Sequence, residues 1–384
     1  MDKDDTIIVG IDASNIRQGG GITHLIELLN VTEPSSLGIK KIVIWGSQAT
    51  LNALNDRSWL CKRNASALNK GLFYRSFWQL FSLSGAARVA ECDVLLIPGG
   101  SYAGSFRPVV SMSRNLLPFE MDELLRYGWS LRTLKLLALR LTMSRSFRTT
   151  DGTIFLTQYA RKAVLAVTGE LRSQTRVIPH GINARFNGAP KGQRAISEYD
   201  DKNPYRILYV SNIDNYKHQW NVVEAVKILR NNGLPVVLDL VGSAYQPALK
   251  RLNKTLSRLD PERIWVNYQG VVVFNELHQF YLQSDLGVFA SSCENMPNIL
   301  LEIMASGLPI ACSSYGPMPE VLGNSGVFFD PEKTKSIAKA LSELINSPQL
   351  RFDLSQASYE RVQQYSWRRC AEETFGFLNS IVKY

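Results

Sequence analysis

Two carboxylates, Glu294 and Glu302, are the residues in this sequence whose type and setting call most strongly for a chemical explanation. The stretch from Asn298 to Ala305 is apolar on almost every face through Ile299, Leu300, Leu301, Ile303, Met304 and Ala305, so the helix expected there is buried. Glu302 is the exception on it. A carboxylate in such a helix costs several kcal/mol unless it is paired or hydrogen-bonded. Paired hydroxyls such as those of a ribose would suit it, and a structural salt bridge is the plainer alternative. Glu294 lies in the preceding segment Cys293-Glu294-Asn295-Met296-Pro297, where Asn295 is expected to cap the helix and Pro297 to occupy its first turn. The helix rise between the two carboxylates lets them grip two ends of one ligand about as long as a sugar diphosphate.

Two further segments could handle an anion. Ser211-Asn212-Ile213-Asp214-Asn215-Tyr216-Lys217 follows the apolar run Arg206 to Val210 and leads into a helix expected from His218 to Leu229. A lysine at a strand-to-helix junction can reach a phosphate lodged at the helix start, although a solvated lysine has the same signature. Gln18-Gly19-Gly20-Gly21-Ile22 likewise follows Ile7 to Ile11 and precedes a helical stretch from Thr23 to Leu29. Gly20 and Gly21 let the backbone approach a ligand and the helix start favours an anion, with a plain tight turn as the alternative. The spacing is not the GxGxxG dinucleotide fingerprint.

These loops must be positioned by strands. Apolar β-rich runs alternate with helical patterns along the whole chain, as parallel sheets built from βαβ units require. In the first half the expected strands are Ile7 to Ile11, Lys41 to Trp45, Asp93 to Pro98, Pro108 to Met112, Thr153 to Leu156 and Arg176 to Pro179. In the second they are Arg206 to Val210, Pro235 to Val241, Arg263 to Tyr268, Leu286 to Ala290, Pro309 to Cys312 and Val327 to Phe329. The expectation is two six-stranded, doubly wound α/β halves, with ligands outside the carboxyl ends of the strands. Periodicity vanishes from Gly188 to Pro204, which suggests domains at 1–190 and 191–365. Residues 366–384 form a last helix, Trp367 to Val382, expected to pack back on the first domain.

The chain of 384 residues suits two domains, and its 45% hydrophobic and 20% charged content is that of a globular protein. Five cysteines without CxxC spacing and four scattered histidines offer no metal cluster, and a reducing cytosol is the expected compartment. The acidic start Met1-Asp2-Lys3-Asp4-Asp5 lacks the basic and apolar regions of a secretory signal, and no apolar run is long enough for a transmembrane helix. The net charge of +9 is uneven: 23 Lys plus Arg face 14 Asp plus Glu through residue 190, and 20 face 20 after it. Between Glu123 and Asp151 there is no acidic residue, while Arg126, Arg132, Lys135, Arg140, Arg145 and Arg148 interleave with leucines. With the aromatic and basic stretch Leu72 to Trp78, this suits an anionic membrane surface, or else an ordinary helix with a solvated basic stripe. Nucleic acid is not an expected partner, because the basic residues form no recognition motif. Oligomeric state is not legible in the sequence.

Glu294 and Glu302 form an E-x7-E pair, and Glu302-Ile303-Met304-Ala305-Ser306-Gly307-Leu308-Pro309-Ile310 resembles the EAMA-x-G-x-P-V stretch of retaining GT-B glycosyltransferases of the GT4 group, glycosyltransferase group 1. Gly316-Pro317-Met318-Pro319-Glu320-Val321, Gly326-Val327-Phe328-Phe329-Asp330-Pro331 and Val177-Ile178-Pro179-His180-Gly181-Ile182-Asn183 extend the likeness. The resemblance implies two Rossmann-like domains facing across a cleft, the first for the acceptor and the second for a nucleotide-sugar donor. It implies that Glu294 contacts donor-sugar hydroxyls and Glu302 the ribose. Lys217 and the amides after Glu294, those of Asn295, Met296 and Asn298 around Pro297, would serve the diphosphate side, the backbone near Gly270-Val271-Val272 would receive the base, and Gly242 would let the chain pass close by. It also implies retention of anomeric configuration without a metal or other cofactor, the nucleotide sugar being a co-substrate. This chain has Asn212 where the family usually carries an arginine, and Ser113-Arg114-Asn115 where a first-domain histidine is frequent. Arg114 or the glycine-loop amides would then meet phosphate charge, with Arg114 or Asn115 on the acceptor side. The implied activity is hexose transfer to a polysaccharide or lipid-linked glycan, as in O-antigen-like or lipopolysaccharide surface glycans, at the inner face of the cytoplasmic membrane. A catalytically silent donor-binding protein and a sugar epimerase share the fold.

Overall fold

The computed structural model describes residues 6–17, 19–273 and 275–383. Contacts divide the chain into two units. The first comprises the chain up to Leu124, Gly128–Gly181 and Tyr365 onward; the second comprises Leu125–Tyr127 and Ile182–Gln364.

The first unit is built on a parallel sheet of β1 (Ile7–Ala13), β2 (Ile39–Gly46), β3 (Leu60–Arg63), β4 (Val94–Ile97), β5 (Val109–Met112), β6 (Gly152–Phe155) and β7 (Gln174–Val177). Its order is β3-β2-β1-β4-β5-β6-β7. The sequence pattern leads to six strands here, and the seventh is β3, Leu-Cys-Lys-Arg, a half-buried edge strand paired only with β2. An edge strand needs no apolar run, so composition does not announce it. The central strands β1, β4 and β5 are buried throughout, as a sheet covered on both faces demands. The helix Trp367–Val382 belongs to this unit: Asn379 Nδ2 donates to Leu37 O at 2.6 Å, and the Phe377 ring lies against Gly152 of β6.

The second unit repeats the plan with β8 (Tyr205–Val210), β9 (Val236–Val241), β10 (Val266–Tyr268), β11 (Leu286–Phe289), β12 (Ile310–Ser313) and β13 (Val327–Phe329), ordered β10-β9-β8-β11-β12-β13 and parallel throughout. This is the doubly wound order with its switch point between β8 and β11. The stretch after Gly188, which reads as a linker by composition, is pinned within this unit. Gly188 N–H donates to Ala305 O at 2.8 Å, and Arg351 Nε donates to Gln193 Oε1 at 2.8 Å. Arg351 is fully buried and its Nη1 also closes the end of the Thr334–Asn346 helix at Leu344 O and Ile345 O.

Among the described residues no helix is long and apolar enough to cross a membrane.

Candidate functional site

At the switch point of the second sheet, the loop after β8 and the loop after β11 leave adjacent strands in the same direction. Two glycines let the surrounding backbone close in. A Cβ on Gly242, after β9, would sit 2.1 Å from Ser211 O, and its φ of 145° is outside what a side chain allows. A Cβ on Gly287 in β11 would sit 2.3 Å from Ile303 Cγ2, so the Asn298–Ala305 helix can settle directly onto the strand.

The two loops are tied by charge and hydrogen bonds. Lys217 Nζ is ion-paired with Glu294 Oε1, with side-chain exposures of 8% and 17%. The Lys217 ammonium also lies 5.0 Å from the Tyr216 ring centroid and 5.4 Å from that of Phe289. Ser292 N–H donates to Tyr216 O at 2.8 Å, and the His218 ring shares a 2.8 Å hydrogen bond between its Nε2 and Ser292 Oγ. His218 takes a left-handed conformation, φ 52°, between the turn Asn215–Lys217 and the helix Gln219–Asn231. The helix therefore starts one residue later than the sequence suggests, and Lys217 is buried beside Glu294 rather than solvated.

Glu302 is buried. Its Oε2 accepts from the Tyr281 hydroxyl at 2.8 Å. Burial pushes its carboxyl up to about 7, with the Tyr281 hydrogen bond and the Arg185 charge pulling the other way.

The helix start after Glu294 differs from expectation. Asn295 is not the cap and Pro297 is not in the first turn: the helix begins at Asn298 with Pro297 in the cap position and no side-chain cap. The reason is a tight turn in which Asn298 N–H donates to Met296 O at 3.0 Å around Pro297. Ile299 and Leu300 follow Asn298 in the first turn of a helix that has no side-chain cap, so this helix start has backbone donors to offer an anion. Asn295 and Met296 are buried beneath the turn. Asn212 is exposed and accepts from Ser243 Oγ, while Val272 is half-buried between exposed Val271 and Val273.

In the first unit, Gly20 and Gly21 are the opening residues of the helix Gly20–Asn30, not a loop ahead of it, and Gln18 lies outside the described residues. Gly19 holds the cap with φ 66°, a backbone state glycine adopts freely and in which Gly20 already turns helical. Arg114 reaches this start: its Nη1 donates to Gly21 O at 3.4 Å, its Nε is buried without a partner, and burial pulls the guanidinium down to about 10. Asn115 is exposed, and its Oδ1 accepts from Leu117 N–H at 3.2 Å. Sequence reasoning did not single out Tyr281, the partner of Glu302, nor the His218–Ser292 bond; Tyr281 lies 21 positions from Glu302 with no local signal joining them.

The family described as glycosyl transferases group 1 matches residues 194–361. That segment is under half of the chain and lies within the second unit. The chain resembles sucrose-phosphate synthase from Thermosynechococcus elongatus with a TM-score of 0.75 at 17% identity, over 96% of this chain and 97% of that one. Anabaena HepE in complex with UDP-glucose gives 0.73 at 17% identity, over 97% and 100%. At such identities the likeness is one of fold, the GT-B architecture of two parallel Rossmann-like sheets. Among curated relatives, O-antigen chain mannosyltransferase B of Escherichia coli is 27% identical over 29% of this chain and 29% of its own length. Spore coat protein SA of Bacillus subtilis (strain 168) is 25% identical over 58% of this chain and 61% of its own. The chain thus spans less than two thirds of these relatives' lengths.

Proposed function

We propose that the protein is a retaining, metal-independent glycosyltransferase that moves a hexose from a nucleoside-diphosphate sugar to a polysaccharide or lipid-linked glycan of the cell surface. The observation that carries this reading is the Lys217–Glu294 pair at the switch point, beside a helix start without a side-chain cap. Without ligand the two charges satisfy each other. A donor would separate them, Lys217 and the amides turning to the diphosphate and Glu294 to sugar hydroxyls, so donor binding draws on charges already placed. Glu302 would take the ribose hydroxyls, Asn212 would border the diphosphate, and Gly242 and Val272 would lie along the base.

In the reaction the bond from the anomeric carbon to the phosphate oxygen breaks, its electron pair leaving with the diphosphate. Lys217 and the helix amides stabilise that developing charge. The acceptor hydroxyl oxygen bonds to the same carbon from the same face and its proton passes to the departing phosphate oxygen. Acceptor binding is assigned to the first unit, where Arg114 and Asn115 lie, with Gly20 and Gly21 offering anion-favouring amides.

A second reading is favoured by Asn212, whose side chain stands where the family usually has a cation and is engaged by Ser243: a protein that binds donor without turning it over. Nucleotide-sugar titration together with a donor-hydrolysis assay separates the two. Binding with turnover that Glu294→Ala abolishes supports the transferase, binding without turnover supports the silent protein, and turnover undiminished in Glu294→Ala rejects the assigned site.

A further inference from the structure

One polar cavity in the second unit has no place in the donor reading. It is an open cleft of roughly 390 Å³, lined by Arg126 and the exposed Arg251, by the His218 and Trp220 rings, by Asn215 and Asn221, and by the exposed Glu332. The guanidinium of Arg251 stacks over the Trp220 indole, its central carbon 3.8 Å from the ring centroid. Among the described residues no carboxylate or carbonyl accepts from that guanidinium. Arg126 is ion-paired with Glu332. Asn215 Nδ2 holds the Arg126 carbonyl at 3.2 Å, and Asn221 Nδ2 holds the Pro331 carbonyl at 2.8 Å, so the backbones bearing Arg126 and Glu332 are both fixed.

Two guanidiniums and the Glu332 carboxylate thus line one small cavity. Burial pulls the Arg251 guanidinium down; Glu224 opposes this, and the Arg126 charge adds a smaller push in the same direction as burial. The His218 ring is pushed down to about 3 by burial, Arg126 and Arg251, with Asp330 opposing, so it stays a neutral wall. An anion entering the cavity would relieve this repulsion.

We propose that this cavity is a binding site for a phosphomonoester of small-sugar size, bound between Arg126 and Arg251 with Glu332 displaced. A tetrahedral dianion presents oxygens to two guanidinium forks at once, which a lone carboxylate does not. Stacking on Trp220 presets the Arg251 fork, and the asparagine amides and the remaining space accommodate hydroxyl groups. The site adjoins the donor loops through His218, which follows Lys217 in the chain and is hydrogen-bonded to Ser292. Its existence does not depend on the transferase reading.

The test is calorimetric titration of the full chain with inorganic phosphate and with glucose 6-phosphate, alongside tryptophan emission. One saturable site is expected, tighter for glucose 6-phosphate, with an emission change absent in Trp220→Phe. Arg251→Gln should weaken binding about tenfold or more, and Glu332→Gln, which removes the competing carboxylate, should strengthen it several-fold. Lys217→Met should leave it within about twofold. The proposal is overturned by absence of saturation, by unchanged affinity in both Arg251→Gln and Glu332→Gln, or by loss of binding in Lys217→Met alone, which would place the phosphate at the donor loops.

Discussion

Glu302 combines deep burial, a hydrogen bond from Tyr281 and a carboxyl raised to about 7. Between its ordinary value of 4.5 and about 7, the folded protein keeps a proton that the unfolded chain has released, so stability contributed at this site declines as pH rises through that window. Glu302→Gln removes the decline. Above pH ~7 it should be more stable than the native chain, by at most about 3 kcal/mol, in denaturant titrations repeated from pH 5 to 8. A variant whose stability keeps the native pH slope would show that the carboxyl is not raised. Ribose hydroxyls donating to Glu302 would favour its charged form, so nucleotide binding near pH 6 should release a proton, measurable by titration in buffers of different ionisation enthalpy. At the neighbouring pair, Lys217→Ala should lower donor turnover by about 10²–10³-fold with a smaller change in donor affinity, because the ammonium matters most as phosphate charge develops. An equal loss in affinity and turnover would assign Lys217 to binding alone.

At the scale of elements, the loops after β8 and β11 carry the proposed site, and Asn212 is the position where the proposed donor site would gain from a cation. Asn212→Arg places a guanidinium at the exposed end of β8 and should tighten nucleoside-diphosphate binding several-fold, read by titration with UDP and GDP. No change would mean that position 212 does not face the diphosphate. A different element raises the question of the acceptor. The helix Leu72–Phe81 exposes Leu72, Phe73, Tyr74, Phe77, Leu80 and Phe81, and Trp129, Leu131 and Leu141 are exposed on and just before the helix Leu131–Thr149. With the basic excess of this half, such surfaces fit peripheral contact with an anionic bilayer. Co-sedimentation with phosphatidylglycerol vesicles should be lost in a Phe73→Ser, Phe77→Ser, Phe81→Ser variant; retention of binding would count against that surface. The element pattern was largely legible because parallel-sheet strands are continuous apolar runs, and the Asn298–Ala305 and Trp367–Val382 helices fall where the periodicity puts them. What escaped depends on contacts distant in sequence or on turn geometry. The β3 edge strand has no apolar signature, the Pro297 turn displaced Asn295 from the cap, and the Gly20 helix start looked like a loop.

For the whole molecule, the doubled sheet plan explains why the proposed site lies where it does. In each unit the chain reverses direction of strand addition once, and at the second of these points two loops bring Lys217 to Glu294 across 77 positions of sequence. Each of those residues was recognisable as a charged group after a strand, but their pairing was not, since it follows from sheet order rather than from either segment. The account stands on donor use at that junction. Its most direct test is turnover of a panel of nucleotide sugars, measured as nucleoside-diphosphate release, by the native chain and by Glu294→Ala under identical conditions. The account predicts that at least one nucleotide sugar is turned over and that Glu294→Ala reduces its rate about 10²-fold or more while remaining folded. Equal rates in the two proteins would contradict it.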